Sequence, residues 1–336
     1  MTMIRNGVAV AALMMSAAPA GAQAWSARVG GFMIAGVGYV DSEFHESGMT
    51  VVNDAEVHFN FRLTADNGLT FGAKFELEGS GVAGNMDEFV ATVAGGFGRI
   101  EIGAEDGAGD RLLLTPPGCN LSCAGDGDGF LFDYAEGAAG DAINNEGDDS
   151  SDDLKITYFT PSFSGFRAGV SYGPTGDDEG PASDPARDDA HFEAGARLDI
   201  DIGDVMQDEG AEWAISGSYF AVNNLEDYSF SVATEVDAYG FGVGGRYTYL
   251  EVDDENNFSV GLSYGTGPWF AGVNYTQVIE SDARAEDFAI SAEVNYALAP
   301  GVTLAGMVEY ADYEFADPAE ERDGGFAVGV LTELNF

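Results

Sequence analysis

Alternation is the feature that most constrains what this chain can fold into. In VHFNFRL, Val57, Phe59, Phe61 and Leu63 take every second position, with His58, Asn60 and Arg62 between them. In LTFGAKFELE, Leu69, Phe71, Ala73, Phe75 and Leu77 alternate with Thr70, Gly72, Lys74, Glu76 and Glu78. A period of two puts successive side chains on opposite faces of an extended chain, so each segment predicts a β-strand with one apolar face. The pattern recurs at residues 154–158, 166–172, 192–200, 239–249, 269–275, 288–296 and 302–310, and more faintly at 228–234. Beyond the first 24 residues no segment sustains a helical period or a long apolar run. The 47 glycines and 12 % aromatic content suit strands joined by tight turns. The fold class is therefore all-β.

The connections suggest how the strands are arranged. Tight turns at residues 66–68, 95–97, 161–165, 265–267 and 299–301 alternate with longer acidic stretches at 41–53, 105–152, 174–189 and 280–286. That rhythm predicts an antiparallel up-and-down β-barrel of about 16 strands, turns at one rim and loops at the other, with the last strand returning beside the first. A soluble sandwich or small barrel buries its apolar face, whereas a transmembrane barrel turns that face outward. The other face carries Arg62, Lys74, Glu76, Arg99, Glu101, Arg167, Arg197, Arg246, Glu293 and Glu309, which suits a wet exterior or a wet lumen equally. Aromatic residues discriminate better. Tyr172, Tyr219, Tyr247, Tyr249, Trp269, Tyr275, Tyr296 and Tyr310 share parity with the apolar face near strand ends, where a membrane barrel places its interfacial girdles.

The amino terminus supports export. Arg5 precedes an apolar stretch from Gly7 to about Met15, and Ala22-Gln23-Ala24 supplies a small-x-small cleavage pattern, so residues 1–24 read as a cleaved signal peptide and 25–336 as one barrel domain. The apolar run is too short for a membrane-spanning helix. In an oxidising compartment Cys119 and Cys123 either close a small disulfide loop or remain two free thiols. With 13 Lys and Arg against 58 Asp and Glu, the formal net charge of −45 makes nucleic acid and anionic lipid surfaces poor partners.

The chain ends on FAVGVLTELNF, in which Phe326, Val328, Val330, Leu334 and Phe336 share the apolar parity. With that terminal Phe, the GLTFGAKFELE strand, the following GGFGRIEIG segment and the long third loop after it, the mature chain resembles the general porins of Gram-negative outer membranes, in particular the sixteen-stranded trimeric porins of Rhodobacter-like bacteria. The resemblance implies an outer-membrane homotrimer that passes ions and small hydrophilic solutes, with Phe336 read by the outer-membrane assembly machinery. It also implies that loop 105–152 folds into the lumen as a pore-constricting eyelet. The alternative is a solvated extracellular loop, against which stands the apolar GFLFDY core at residues 129–134.

The loop offers Asp106, Asp110, Asp126, Asp128, Asp133 and Glu136 to such a constriction. The resemblance implies a basic cluster on the wall across from the loop; inward parity delivers Arg28, Arg62, Lys74 and Arg99 from the first third of the chain, which either face the loop carboxylates across a gap or pair with Glu76, Glu78 and Glu101 on neighbouring strands. No cofactor is required. Asp126 and Asp128 are suited to Ca²⁺, as implied by the calcium held at loop carboxylates in similar porins, although bare acidity explains them as well. The charge balance predicts moderate cation selectivity. An outer-membrane barrel hydrolase or an adhesin-like structural barrel is the competing function. The histidines His45, His58 and His191 stand outside any GxSxG or HExxH pattern.

Overall fold

The structure, a computed structural model, describes residues 24–42, 47–79, 86–118, 120–121, 150–174, 190–222, 227–251, 254–280, 287–313 and 323–336. Sixteen strands run in order: β1 (Ser26–Ser42), β2 (Gly48–Thr64), β3 (Thr70–Glu78), β4 (Met86–Gly95), β5 (Gly98–Ala104), β6 (Leu154–Phe159), β7 (Phe166–Gly173), β8 (His191–Asp201), β9 (Glu212–Val222), β10 (Asp227–Ala238), β11 (Phe241–Leu250), β12 (Glu255–Thr266), β13 (Trp269–Glu280), β14 (Phe288–Ala299), β15 (Val302–Tyr313) and β16 (Asp323–Asn335). Each pairs antiparallel with its sequence neighbours, and β1 pairs with β16 to close the barrel. The seam is completed by the chain end, where Gly31 N–H donates to the Phe336 carbonyl and Phe336 N–H to the Gly31 carbonyl, both at 3.0 Å. Closure leaves no edge strand and pairs the backbone around the wall, the condition for crossing a bilayer with strands.

Period-two patterning sets the two faces. Val29, Val37, Ile102, Val170, Val243, Val294, Val330 and Phe336 point outward and are exposed. Thr157, Ser171, Glu193, Thr248, Asn257, Thr276, Glu293 and Glu309, on the opposite parity, point inward and are buried. Outward aromatic residues gather at both rims. Tyr219 stacks on Tyr228, which meets Tyr249 at a tilt, near the loop ends of β9–β11, and Tyr275, Phe288 and Tyr310 make tilted ring contacts in sequence across β13–β15. Phe241 with Tyr264 and Trp269 with Tyr296 mark the turn rim. In the turns, Gly68 (φ 84°) and Gly301 (φ 73°) hold left-handed conformations open to glycine at little cost.

Two details differ from the sequence reading. The acidic stretch 41–53 is mostly strand: β1 runs to Ser42 and β2 begins at Gly48. The size rule for connections is also looser than expected. Residues 223–226 and 251–254 join their strands as briefly as turns do, whereas 202–211 on the turn rim include a helical turn, Gly203–Met206.

Candidate functional site: the lumen and its third loop

Sixteen strands leave a lumen too wide for wall side chains to fill, so its shape depends on what lies inside. After β5 the chain crosses the inner wall strand by strand. Ala108 N–H donates to Ser171 Oγ on β7 at 2.8 Å, Asp110 N–H to Glu193 Oε1 on β8 at 2.8 Å, Leu114 N–H to Ser216 Oγ on β9 at 2.8 Å, and Leu121 N–H to Glu293 Oε2 on β14 at 3.0 Å. Apolar contacts follow the same route: Ala108 and Leu112 pack on Phe159, Leu114 packs on Ala214 and Ala233, and Leu121 on a cluster that includes Ile34, Val52, Met307 and Leu331.

Missing side chains on the wall admit the loop backbone. A Cβ placed at Gly195 would stand 2.2 Å from the Ala108 carbonyl oxygen, at Gly261 1.6 Å from that of Pro117, and at Gly272 2.3 Å from that of Gly118. On the return, Ser150 Oγ donates to Glu193 Oε2 at 2.7 Å, and Lys155 Nζ donates to the Glu105 carbonyl at 2.5 Å.

The consequence is an asymmetric lumen. Inward side chains on β6–β16 are largely buried, Ser231, Thr248, Ser259, Thr276, Ser291 and Leu331 among them. On β1–β5, Arg28, Asn60 and Arg62 are exposed, while Glu56, His58, Lys74 and Arg99 are half-buried. The open side of the lumen is thus bordered by β3–β5 and by the parts of β1 and β2 that carry Arg28, Asn60 and Arg62, whereas Ile34, Val40 and Val52 farther along β1 and β2 are buried in the cluster that Leu121 joins.

A charge network occupies that side. Lys74 Nζ lies 2.5 Å from Glu88 Oε2, 2.7 Å from Glu105 Oε2 and 3.2 Å from Glu76 Oε1. Arg111 Nη1 lies 2.6 Å from Glu101 Oε2 and 3.9 Å from Glu105 Oε1, and Arg99 Nε lies 3.2 Å from Glu101 Oε1. Both guanidinium groups approach the Phe159 ring, with Cζ 4.5 Å from its centroid for Arg99 and 5.0 Å for Arg111. Lys74, Glu105, Arg111, Glu101 and Arg99 therefore form a continuous chain of alternating sign from β3 through the loop to β5.

Of the basic row expected from sequence, Lys74 and Arg99 join this network. Arg28 and Arg62 stay exposed and make no ion pair with another described residue. Arg28 shares a rung with Asn60 and Asn60 with Lys74, while Arg62 lies one inward step nearer the turn. Asp106 belongs with Glu88 and Glu105 in one carboxylate group, whereas Asp110 begins the short 3-10 turn Asp110–Leu112 against β8. Asp126, Asp128, Asp133, Glu136, Cys119 and Cys123 lie outside the described residues, as do residues 1–23, on which the expected export signal falls.

Sequence parity offered more than was read from it. Glu88 shares parity with Val90 and Thr92 on β4, and Glu105 continues the inward series Arg99, Glu101, Gly103 by one step. Arg111 had no such signal, because it lies on the loop. Asp152, close to Glu88, Asp106 and Asp87, is pushed up to about 7, first by burial and then by these like charges.

A charged, water-accessible strip beside a loop-filled wall conducts ions and polar solutes and rejects bulky apolar ones. Known proteins share the architecture. Two solved variants of Rhodopseudomonas blastica porin share the fold. One is 19 % identical with a TM-score of 0.67, the other, a triple mutant, 18 % identical with a TM-score of 0.66; in both cases 93 % of this chain and 100 % of theirs are covered. No curated protein sequence matches the chain. The family description Gram-negative porin matches residues 9–316. This chain, a closed sixteen-stranded barrel with a charged lumen, belongs to the Gram-negative porin family and forms a channel through the outer membrane.

Proposed function

We propose that the channel passes small hydrophilic solutes passively, with a moderate preference for cations. The observation that carries this reading is the charge at the open wall. Glu76, Glu88, Glu101 and Glu105 stand against Lys74, Arg99 and Arg111, and Asp106 and Asp152 add to the acidic side. With cleavage after Ala24 the mature net charge becomes 12 − 58 = −46. Like charges at the mouth raise local cation concentration within a Debye length of ~8 Å at physiological salt. Reversal potentials across a salt gradient are expected to show cation preference that fades as ionic strength rises. Anion preference, or a preference indifferent to salt, would defeat the reading.

The finer roles of the third-loop carboxylates belong to the same proposal: Asp126, Asp128, Asp133 and Glu136 extend the acidic border, and Asp126 and Asp128 take up Ca²⁺. Assembly as a homotrimer is proposed from the small outward residues Ala35, Val37, Ala91 and Val93, which admit a close neighbour. Crosslinking of the unheated detergent extract should give a trimer, and a monomer would count against it. Phe336, exposed at the end of the closing strand, is proposed as the terminal signal read during outer-membrane assembly. A passive conduit, as opposed to a barrel hydrolase, shows stepwise conductance in planar bilayers.

A further inference from the structure

The inner wall between β2 and β3 carries a donor set in which Glu76, part of the charge at the open wall, meets a histidine. Glu56 and His58 point into the lumen from β2, and Glu76 stands directly opposite His58 on β3. His58 Nε2 is 2.7 Å from Glu56 Oε2, and Nδ1 is 3.3 Å from Glu76 Oε1. One ligand atom from each of the three residues lies within 4.8 Å of the others. We propose that this group binds a divalent transition-metal ion of the zinc or copper class, held by His58 Nδ1 and the Glu76 carboxylate, with Glu56 orienting the ring through Nε2–H.

The chemistry of the set favours such an ion over Mg²⁺ or Ca²⁺, which take oxygen ligands, because a neutral imidazole suits zinc and copper. Geometry agrees. With bonds of ~2.0–2.1 Å, the edge of a tetrahedral shell is about 3.3–3.4 Å, and the Nδ1 to Oε1 separation is 3.3 Å. A ring whose second nitrogen donates to a carboxylate is the usual arrangement of a metal-ligating histidine.

Local structure prepares the site. Both ligands come from paired strands, so their backbones are fixed, and Phe32 meets the His58 ring edge-on at 6.2 Å and 83°. Glu56 and Glu78 are directly opposed across the same ladder, a like-charge pairing that a dication relieves. Lys74 is the competing cation at Glu76, but it also contacts Glu88 and Glu105 and keeps both when it leaves Glu76. His58 remains 27 % exposed on the open side of the lumen, so an ion in the channel can reach it. Two protein ligands leave the remaining positions to water, which makes binding exchangeable and any effect on conduction reversible.

The site is independent of which ion the channel prefers, and its test is electrical. The full-length mature protein is inserted into planar bilayers in potassium chloride containing a chelator, which is then exchanged for zinc chloride, with magnesium chloride as the comparison. Conductance is expected to fall with zinc and to recover with chelator. The half-blocking zinc concentration should rise by at least ~10-fold in His58→Gln and in Glu76→Gln, each scored against its own zinc-free conductance. Glu56→Gln should shift it less. If one variant does not insert, the other carries the comparison. Unchanged half-blocking concentrations in the variants, or zinc no more effective than magnesium on the unaltered channel, would overturn the assignment.

Discussion

Adding one methyl group at Gly261 should narrow the channel. A Cβ at this position on β12 would stand 1.6 Å from the Pro117 carbonyl oxygen and 2.7 Å from its carbon, both backbone atoms of the third loop. Ordinary contact begins at 3.4 Å, so the loop must retreat by 3.4 − 1.6 = 1.8 Å. The wall cannot yield instead, because Gly261 is paired with Gly244 on one side and Asn274 on the other. The only free direction is toward the lumen. Forcing a methyl into a filled contact costs ~1–3 kcal/mol, so Gly261→Ala should lower both single-channel conductance and the temperature at which the detergent-solubilised barrel unfolds. Gly306→Ala is the control, since a Cβ there meets nothing within 4 Å, and it should stay within ~0.5 kcal/mol of the unaltered chain. Equal conductance and equal unfolding temperature for the two variants would refute the claim that the loop rests on β12.

Phe71→Arg, on the outward face of β3, should cost ~2–4 kcal/mol if it falls near the bilayer midplane, and a Cys at the same place should resist a water-soluble thiol reagent in intact membranes. Arg111→Ala removes the cation 2.6 Å from buried Glu101, so stability should fall by about 2 kcal/mol and reversal potentials should move toward cations; an unchanged potential would place Arg111 outside the conducting path. Asp152 keeps its proton up to about pH 7 in the folded chain, against an ordinary 3.8, so between those values the folded state holds a proton that the unfolded chain has lost and stability declines as pH rises. Cation preference should rise around pH 7, where the folded carboxylate ionises, and Asp152→Asn should weaken both dependences.

The strands were legible because period two needs only the polarity of each residue in turn, and burial on one face repeats that polarity. Where the reading failed, polarity meant something other than exposure to a loop. Residues 48–54, GMTVVND, end in Asn53 and Asp54, which in a globular protein would signal a turn. Here Asp54 lies on the inward parity opposite Ile34, in a strand whose inner face meets a polar lumen. Acidity therefore did not separate loop from strand on this side of the barrel. The faint strand at 228–234 proved to be the full β10, Asp227–Ala238, with Ser229, Ser231 and Ala233 on the inner face of that stretch and charge beyond it at Glu235 and Asp237.

The lumen was less legible, for a related reason. Parity places a wall residue inside or outside, but it says nothing of what crosses in front of it. That depends on where the wall lacks side chains, and the glycines at 195, 261 and 272 read in sequence as weak strand positions when they in fact admit the loop backbone. The third loop follows β5 and lies over strands that come after it and, through Leu121, over the cluster that holds Ile34, Val40 and Val52 of β1 and β2, leaving the rest of the earlier strands to border the water. The gathering of Arg28, Arg62, Lys74 and Arg99 in the first third of the chain then has a physical cause. Long side chains left open to water fit where no loop packs, whereas the covered wall offers Ser216, Ser259, Thr276 and glycines, or carboxylates such as Glu193 and Glu293 that accept the loop's own N–H groups. A long side chain placed on the covered wall should therefore disturb conduction more than the same side chain placed at the exposed Asn60 on β2.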